Sequence, residues 1–165
     1  MTDRHSQLAR PGPGGPAVTR AEWLAAAAEF VRPWFEALGR PLPKLVFEAT
    51  LDAAGLGVRP SAAGACRQSP DGSARILISP SVDVAIPNGT GSPGALDVLL
   101  HELAHAALPP EENHGRFFGS LMRRLGFMRL RGRRGVVLDC ALPGLRERQR
   151  ELVELLGPYP GRGAR

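Results

Sequence analysis

From Thr19 onward the apolar residues recur at helical spacing: Trp23, Ala27, Phe30, Trp34 and Leu38 lie three to four apart and predict one stripe. Thr19 with Glu22 offers a capping box, and Gly39 a stop. Pro33 is expected to kink or divide this helix, since its ring does not fit a regular turn. Strands are expected over 44–50, 64–68 and 75–79, the last two joined by a turn at Asp71-Gly72. Pro80 suits a strand exit. After the turn-rich stretch 88–94, Ser92 and Pro93 can cap and open a second helix through LDVLLHELAHAAL to about Leu108. Pro109-Pro110 ends it and Glu111-Glu112-Asn113 turns the chain. A third helix begins near His114, with Phe117, Phe118, Leu121, Met122 and Leu125 on its buried side and Gly126 as its stop. Residues 127–142 carry no clear period, 136–139 being a strand candidate, and 145–156 reads as a charged amphipathic helix.

This order predicts an α+β fold: an N-terminal helix, a small sheet of about three strands, the second helix and the one that follows it. Residues 1–18, centred on PGPGGP, read as a disordered tail, 19–142 as one domain and 143–165 as a C-terminal basic helix and tail. At 165 residues and 43% apolar the chain is long enough for one core, and it is expected to be a monomer. No apolar run approaches the ~20 residues of a membrane span, and no signal peptide is legible, so a cytoplasmic location is expected. Cys66 and Cys140 are too few and too distant for a disulfide framework.

The net charge of +5 is unevenly spread. Residues 1–115 hold 9 basic and 12 acidic side chains (net −3), while 116–165 hold 12 arginines and 4 acids (net +8). If Arg123, Arg124, Arg129, Arg131, Arg133 and Arg134 form one surface, non-specific contact with DNA phosphates is expected.

The chemistry lies in the second helix. His101, Glu102 and His105 spell His-Glu-x-x-His, and His114 follows nine residues later, so three of the four histidines fall in one short window. On a helix, i and i+4 are about 40° apart around the axis and about 6 Å apart along it, close enough for two imidazoles to share one metal ion. A catalytic zinc takes three protein ligands and leaves a position open. His101, His105 and His114 can supply that set, with Glu102 free as general base. Glu111, six residues after His105, is the alternative third ligand. A helix N-terminus disfavours imidazolium, so His114 is expected to stay neutral. The pattern predicts a zinc-dependent hydrolase acting on protein or peptide. Tyr159 and Arg116 are candidates for stabilising an oxyanion, and Asp97, one turn before His101, is expected to face water.

The segment LLHELAHAALPPEENHGRFFGSLMRRLGF resembles the SprT-like zincin metallopeptidases, whose signature is HExxH followed by His-Gly-x-x-Phe, here His114-Gly115-Arg116-Phe117-Phe118. The likeness extends more weakly back through RILISPSV and forward to LGPYP at 156–160. It implies a minimal zincin-like fold, Zn2+ held by His101, His105 and His114, Glu102 as general base, and an edge strand near 76–79 that pairs with an extended peptide. It also implies action on DNA-associated proteins. The four-cysteine ribbon of many such proteins has no counterpart here, since the chain contains no CxxC. The alternative function is a non-catalytic, zinc-stabilised module associated with DNA or transcription, in which Glu102 has no task.

Overall fold

A computed structural model describes residues 19–48, 62–87, 93–131 and 137–160. The expected tail at 1–18, the end of the first strand at 49–50, Ser92, Arg133 and Arg134 lie outside these residues. The fold is mixed α+β, with four α-helices and two small sheets among the described residues. No described helix is long and apolar enough to cross a membrane.

Helix α1 spans Arg20–Ala37 and opens on the expected capping box: Thr19 N donates to Glu22 Oε2 at 2.8 Å, and Glu22 N donates to Thr19 Oγ1 at 3.2 Å. It runs unbroken through Pro33, which is exposed; the Glu29 carbonyl that would have met its missing N–H belongs to another exposed residue. Of the expected stripe, Trp23 and Ala27 are buried, but farther along the helix the buried face sits one position from it. Leu24, Ala27, Ala28, Val31 and Phe35 are buried, whereas Phe30, Trp34 and Leu38 are only partly so. Trp34 is covered instead by the Arg148 guanidinium, 3.6 Å from its ring centroid. Gly39, at φ 69°, makes the left-handed stop.

Strands β1 (Leu45–Glu48), β2 (Gly64–Gln68) and β3 (Ala74–Ile78) form a sheet in the order β1-β3-β2. β3 is parallel to β1 and antiparallel to β2. The edge strand expected near 76–79 is therefore the central strand. Ile76, Leu77 and Ile78 are buried in succession, which suits a strand covered on both faces. The outer strand next to the second helix is β2.

Helix α2 spans Ala95–Ala106, and Gly94, not Ser92, is its N-cap. Ten of its twelve residues are buried; the remaining two are His101 and His105. This core helix thus exposes one narrow window, made by the i, i+4 pair. A short 3-10 turn at Pro110–Glu112 leads to α3 (Arg116–Leu125), which Gly126 ends at φ 103°. Phe118, Leu121, Met122 and Leu125 are buried as expected, but Phe117 faces solvent.

The stretch 127–142 resolves into a hairpin that raises the sheet count to two. β4 (Phe127–Arg131) pairs antiparallel with β5 (Val137–Ala141), Arg129 opposite Asp139. Helix α4 (Pro143–Leu156) begins with Pro143 in its first turn. Leu145, Leu152 and Tyr159 of the expected C-terminal segment share one buried cluster with Trp23, Phe35, Leu99 and Phe118. Trp23 Nε1 donates to the Gly157 carbonyl at 3.1 Å, and Tyr159 packs edge-on against Trp23 at 5.0 Å, fixing the segment after α4 on α1.

Candidate metal centre

Three elements bring the histidines together. His101 and His105 project from one face of α2, and the turn after the 3-10 segment carries His114 back over them. That turn is closed by Gly115 N donating to the Glu112 carbonyl at 2.6 Å, with Asn113 at φ 39°. His114 precedes α3 by two residues rather than opening it.

His114 Nε2 lies 3.1 Å from His101 Nε2 and 3.2 Å from His105 Nε2. Candidate ligand atoms of the three residues all lie within 4.8 Å of one another. Zn–N bonds of 2.0–2.1 Å in tetrahedral geometry place neighbouring nitrogens about 3.3 Å apart, close to this spacing. Each imidazole Nε2 offers one in-plane site, a proton or a lone pair, so His114 Nε2 hydrogen-bonds well to only one of the other two nitrogens and the second contact is left unsatisfied. A cation at the centre satisfies all three, so the donor set fits a metal ion such as zinc. Glu111, exposed in the 3-10 segment, stands outside this group.

Phe118, fully buried, is the wall against which all three rings pack. It stacks on His105 at 4.3 Å and meets His101 and His114 edge-on at 4.9 and 5.0 Å. Burial, reinforced by His101 and His114, pulls the His105 pKa down to about 3. His114 is also lowered, by burial first and then by His101 and Arg129. Its expected neutrality thus has a different cause from the helix end. Both rings are neutral at ordinary pH, as a metal ligand must be.

Glu102 is buried and lines the same open cavity as Gly64, Ala65, Cys66, Gln68, Pro109, Pro110, Asn113 and the three histidines. Desolvation raises its pKa to about 7, against a smaller lowering by His101. β2 lies so close to α2 that a Cβ at Gly64 would come within 3.0 Å of Glu102 Oε1. At the far end of β2, Gln68 Nε2 donates to the carbonyls of His105 and Leu108, tying the strand to the C-terminal end of α2. Burial and the neighbouring Glu102 push the Cys66 thiol up to about 12, so it is not a ready thiolate ligand.

Several expected roles are redistributed. Asp97 does not face water: it is buried, accepts from Arg146 Nη1 and Nη2 at 2.7 and 2.8 Å, and accepts from Gln149 Nε2 at 2.9 Å. It ties α4 to α2. Tyr159 Oη accepts from Arg20 Nη2 at 2.6 Å, and neither Tyr159 nor Arg116 lines the cavity. Of the six arginines expected to form one surface, Arg123 and Arg124 are exposed on α3, while Arg129 turns to Asp139.

The sequence reading missed Asp139. Its Oδ2 lies 3.3 Å from His101 Nδ1, and its Oδ1 accepts from Arg129 Nε at 3.3 Å. The His101 hydrogen bond, followed by Arg129, holds its carboxyl below the usual range. The one available signal was an acid at the end of the 136–139 strand candidate. The chain matches no protein-family model, no curated protein and no solved structure.

Proposed function

We propose that this protein is a zinc-dependent peptidase of the SprT-like, zincin type, with His101, His105 and His114 as metal ligands and Glu102 as general base. The observation that carries the reading is the convergence of three Nε2 atoms at 3.1 and 3.2 Å in a cavity that Glu102 also lines. A zinc ion held by His101, His105 and His114 would polarise a substrate carbonyl and lower the pKa of water to about 7. Glu102 accepts the proton of the attacking water on its carboxylate and delivers it to the leaving amine nitrogen. A base with a pKa near the working pH suits both halves of that transfer, and burial moves Glu102 that way. The neutral rings of His105 and His114 leave their lone pairs to the metal.

The substrate proposed is a polypeptide in extended form, lying along β2. Among the described residues β2 pairs only with β3, and Gly64, Ala65, Cys66 and Gln68 line the cavity. Backbone pairing at that edge would lay a peptide bond across the histidines without demanding a particular side chain. The alternative of a non-catalytic, zinc-stabilised module leaves a desolvated carboxyl beside the ligands with no task. A contribution of exposed Arg123 and Arg124 to DNA contact belongs to the same proposal and concerns recruitment rather than chemistry.

Metal stoichiometry in wild type, His114→Ala and Glu111→Ala tests the ligand set. Wild type and Glu111→Ala are expected to hold about one zinc per chain after reconstitution. His114→Ala is expected to bind far more weakly. Zinc retained by His114→Ala and lost by Glu111→Ala would overturn the assignment.

A further inference from the structure

The β4–β5 hairpin reaches the metal centre through one side chain. Asp139 sits on β5 opposite Arg129 on β4, and its two carboxylate oxygens divide their partners: Oδ1 to Arg129 Nε and Oδ2 to His101 Nδ1, each at 3.3 Å. Only 11% of the Asp139 side chain is exposed, so the contact is shielded from competing water. A carboxylate accepts and cannot donate, so the proton between Asp139 and His101 belongs to Nδ1. With Nδ1 protonated in a neutral ring, Nε2 carries the free lone pair. Nε2 is the atom that faces His114 Nε2 at 3.1 Å.

We propose that Asp139 is a positioning residue for the metal site, holding His101 in the Nδ1–H tautomer and in the ring orientation that presents Nε2 to the metal, with Arg129 holding Asp139 in turn. Arg129 is itself seated at the site: its guanidinium carbon lies 5.8 Å from the centroid of Phe118, the ring against which all three histidines pack. Its Nη1 would lie at an ordinary contact distance of 3.5 Å from a Cβ added at Gly119, which places the guanidinium over α3. The first of the three ligands is therefore oriented from a hairpin that is distant in sequence from the motif. A hydrogen bond of this kind fixes the tautomer and raises the basicity of the ligating nitrogen.

This inference rests on the proposed zinc site, and the experiment separates the two. Zinc affinity is measured by chelator competition for wild type, Asp139→Ala, Asp139→Asn and Arg129→Ala, and circular dichroism of each metal-free protein checks that it is folded. Long-range 1H–15N correlations of the imidazoles in metal-free wild type and Asp139→Ala report the tautomer. Asp139→Ala is expected to weaken zinc binding about 10- to 100-fold. Asp139→Asn, which keeps an accepting oxygen, is expected to recover part of that loss, and Arg129→Ala to show a smaller one. His101 is expected as the Nδ1–H tautomer in wild type and as a mixture in Asp139→Ala. A folded Asp139→Ala with wild-type zinc affinity and an unchanged His101 tautomer would overturn the role of Asp139 while leaving the zinc site standing. A wild type that binds no zinc would overturn both.

Discussion

Gly64 and Glu102 approach so closely that a single methyl group would not fit between them. A Cβ on Gly64 would come within 2.5 Å of Val98 Cγ1, 2.9 Å of the Leu77 carbonyl and 3.0 Å of Glu102 Oε1. The Leu77 carbonyl is backbone of β3 and cannot swing aside, so β2 would have to shift against β3 as well as away from Val98 of α2. Gly64→Ala is expected to cost about 1–3 kcal/mol, the usual range for overpacking. Urea unfolding of the two proteins measures it, and equal midpoints and slopes would contradict so close an approach of strand and helix.

Asp97 and Arg146 make the second junction on which α2 depends. Asp97 is 6% exposed and holds both Nη atoms of Arg146 as well as Gln149 Nε2. Asp97→Ala strands a partly buried guanidinium and is expected to destabilise by about 3 kcal/mol. Replacing Asp97 and Arg146 together by apolar residues should cost less than the single change. A double-mutant cycle read by denaturant unfolding checks this, and strictly additive losses would contradict it.

Glu102 predicts a pH signature in chelator-treated protein. Its folded pKa, about 7, stands above the ordinary 4.5, so the folded state holds a proton that the unfolded chain has released. Stability conferred by the protonated form is therefore lost as pH rises from 4.5 to 7, and the loss is complete above that window. Glu102→Gln does not titrate. Its stability relative to wild type is expected to rise by about 3 kcal/mol across the window and then level off. His105, lowered to about 3, acts with opposite sign below pH 6.5, but it is present in both proteins and cancels in the difference. A difference that does not change with pH would contradict the buried, proton-holding carboxyl.

The histidine cluster was legible because its geometry is local. An i, i+4 pair on a helix and a third histidine past a double-proline break need no knowledge of distant contacts. The same holds for the Thr19 capping box and the stops at Gly39 and Gly126. Asp139 was not legible because its partnership with His101 depends on the register of a hairpin. That hairpin hides from a hydrophobic period: Arg129 alternates onto the same side of β4 as buried Phe127, so apolar and charged positions do not separate. Asp97 looked like a solvated first-turn acid. Its burial follows from the packing of α4, whose Arg146 lies 49 residues away in sequence. The central position of β3, in place of an edge, likewise depends on a parallel pairing with β1 that alternation within one strand does not encode.

Hydrolysis of an unfolded protein substrate by zinc-reconstituted wild type and Glu102→Gln, with zinc content measured on the same samples, tests the central claim most directly. The substitution leaves all three imidazoles in place and removes only the proton acceptor. Both proteins are expected to hold about one zinc per chain. Wild type should cleave the substrate, while Glu102→Gln should turn over at least about 100-fold more slowly. Equal turnover by the two zinc-loaded proteins, or no cleavage by a fully loaded wild type, would contradict the account.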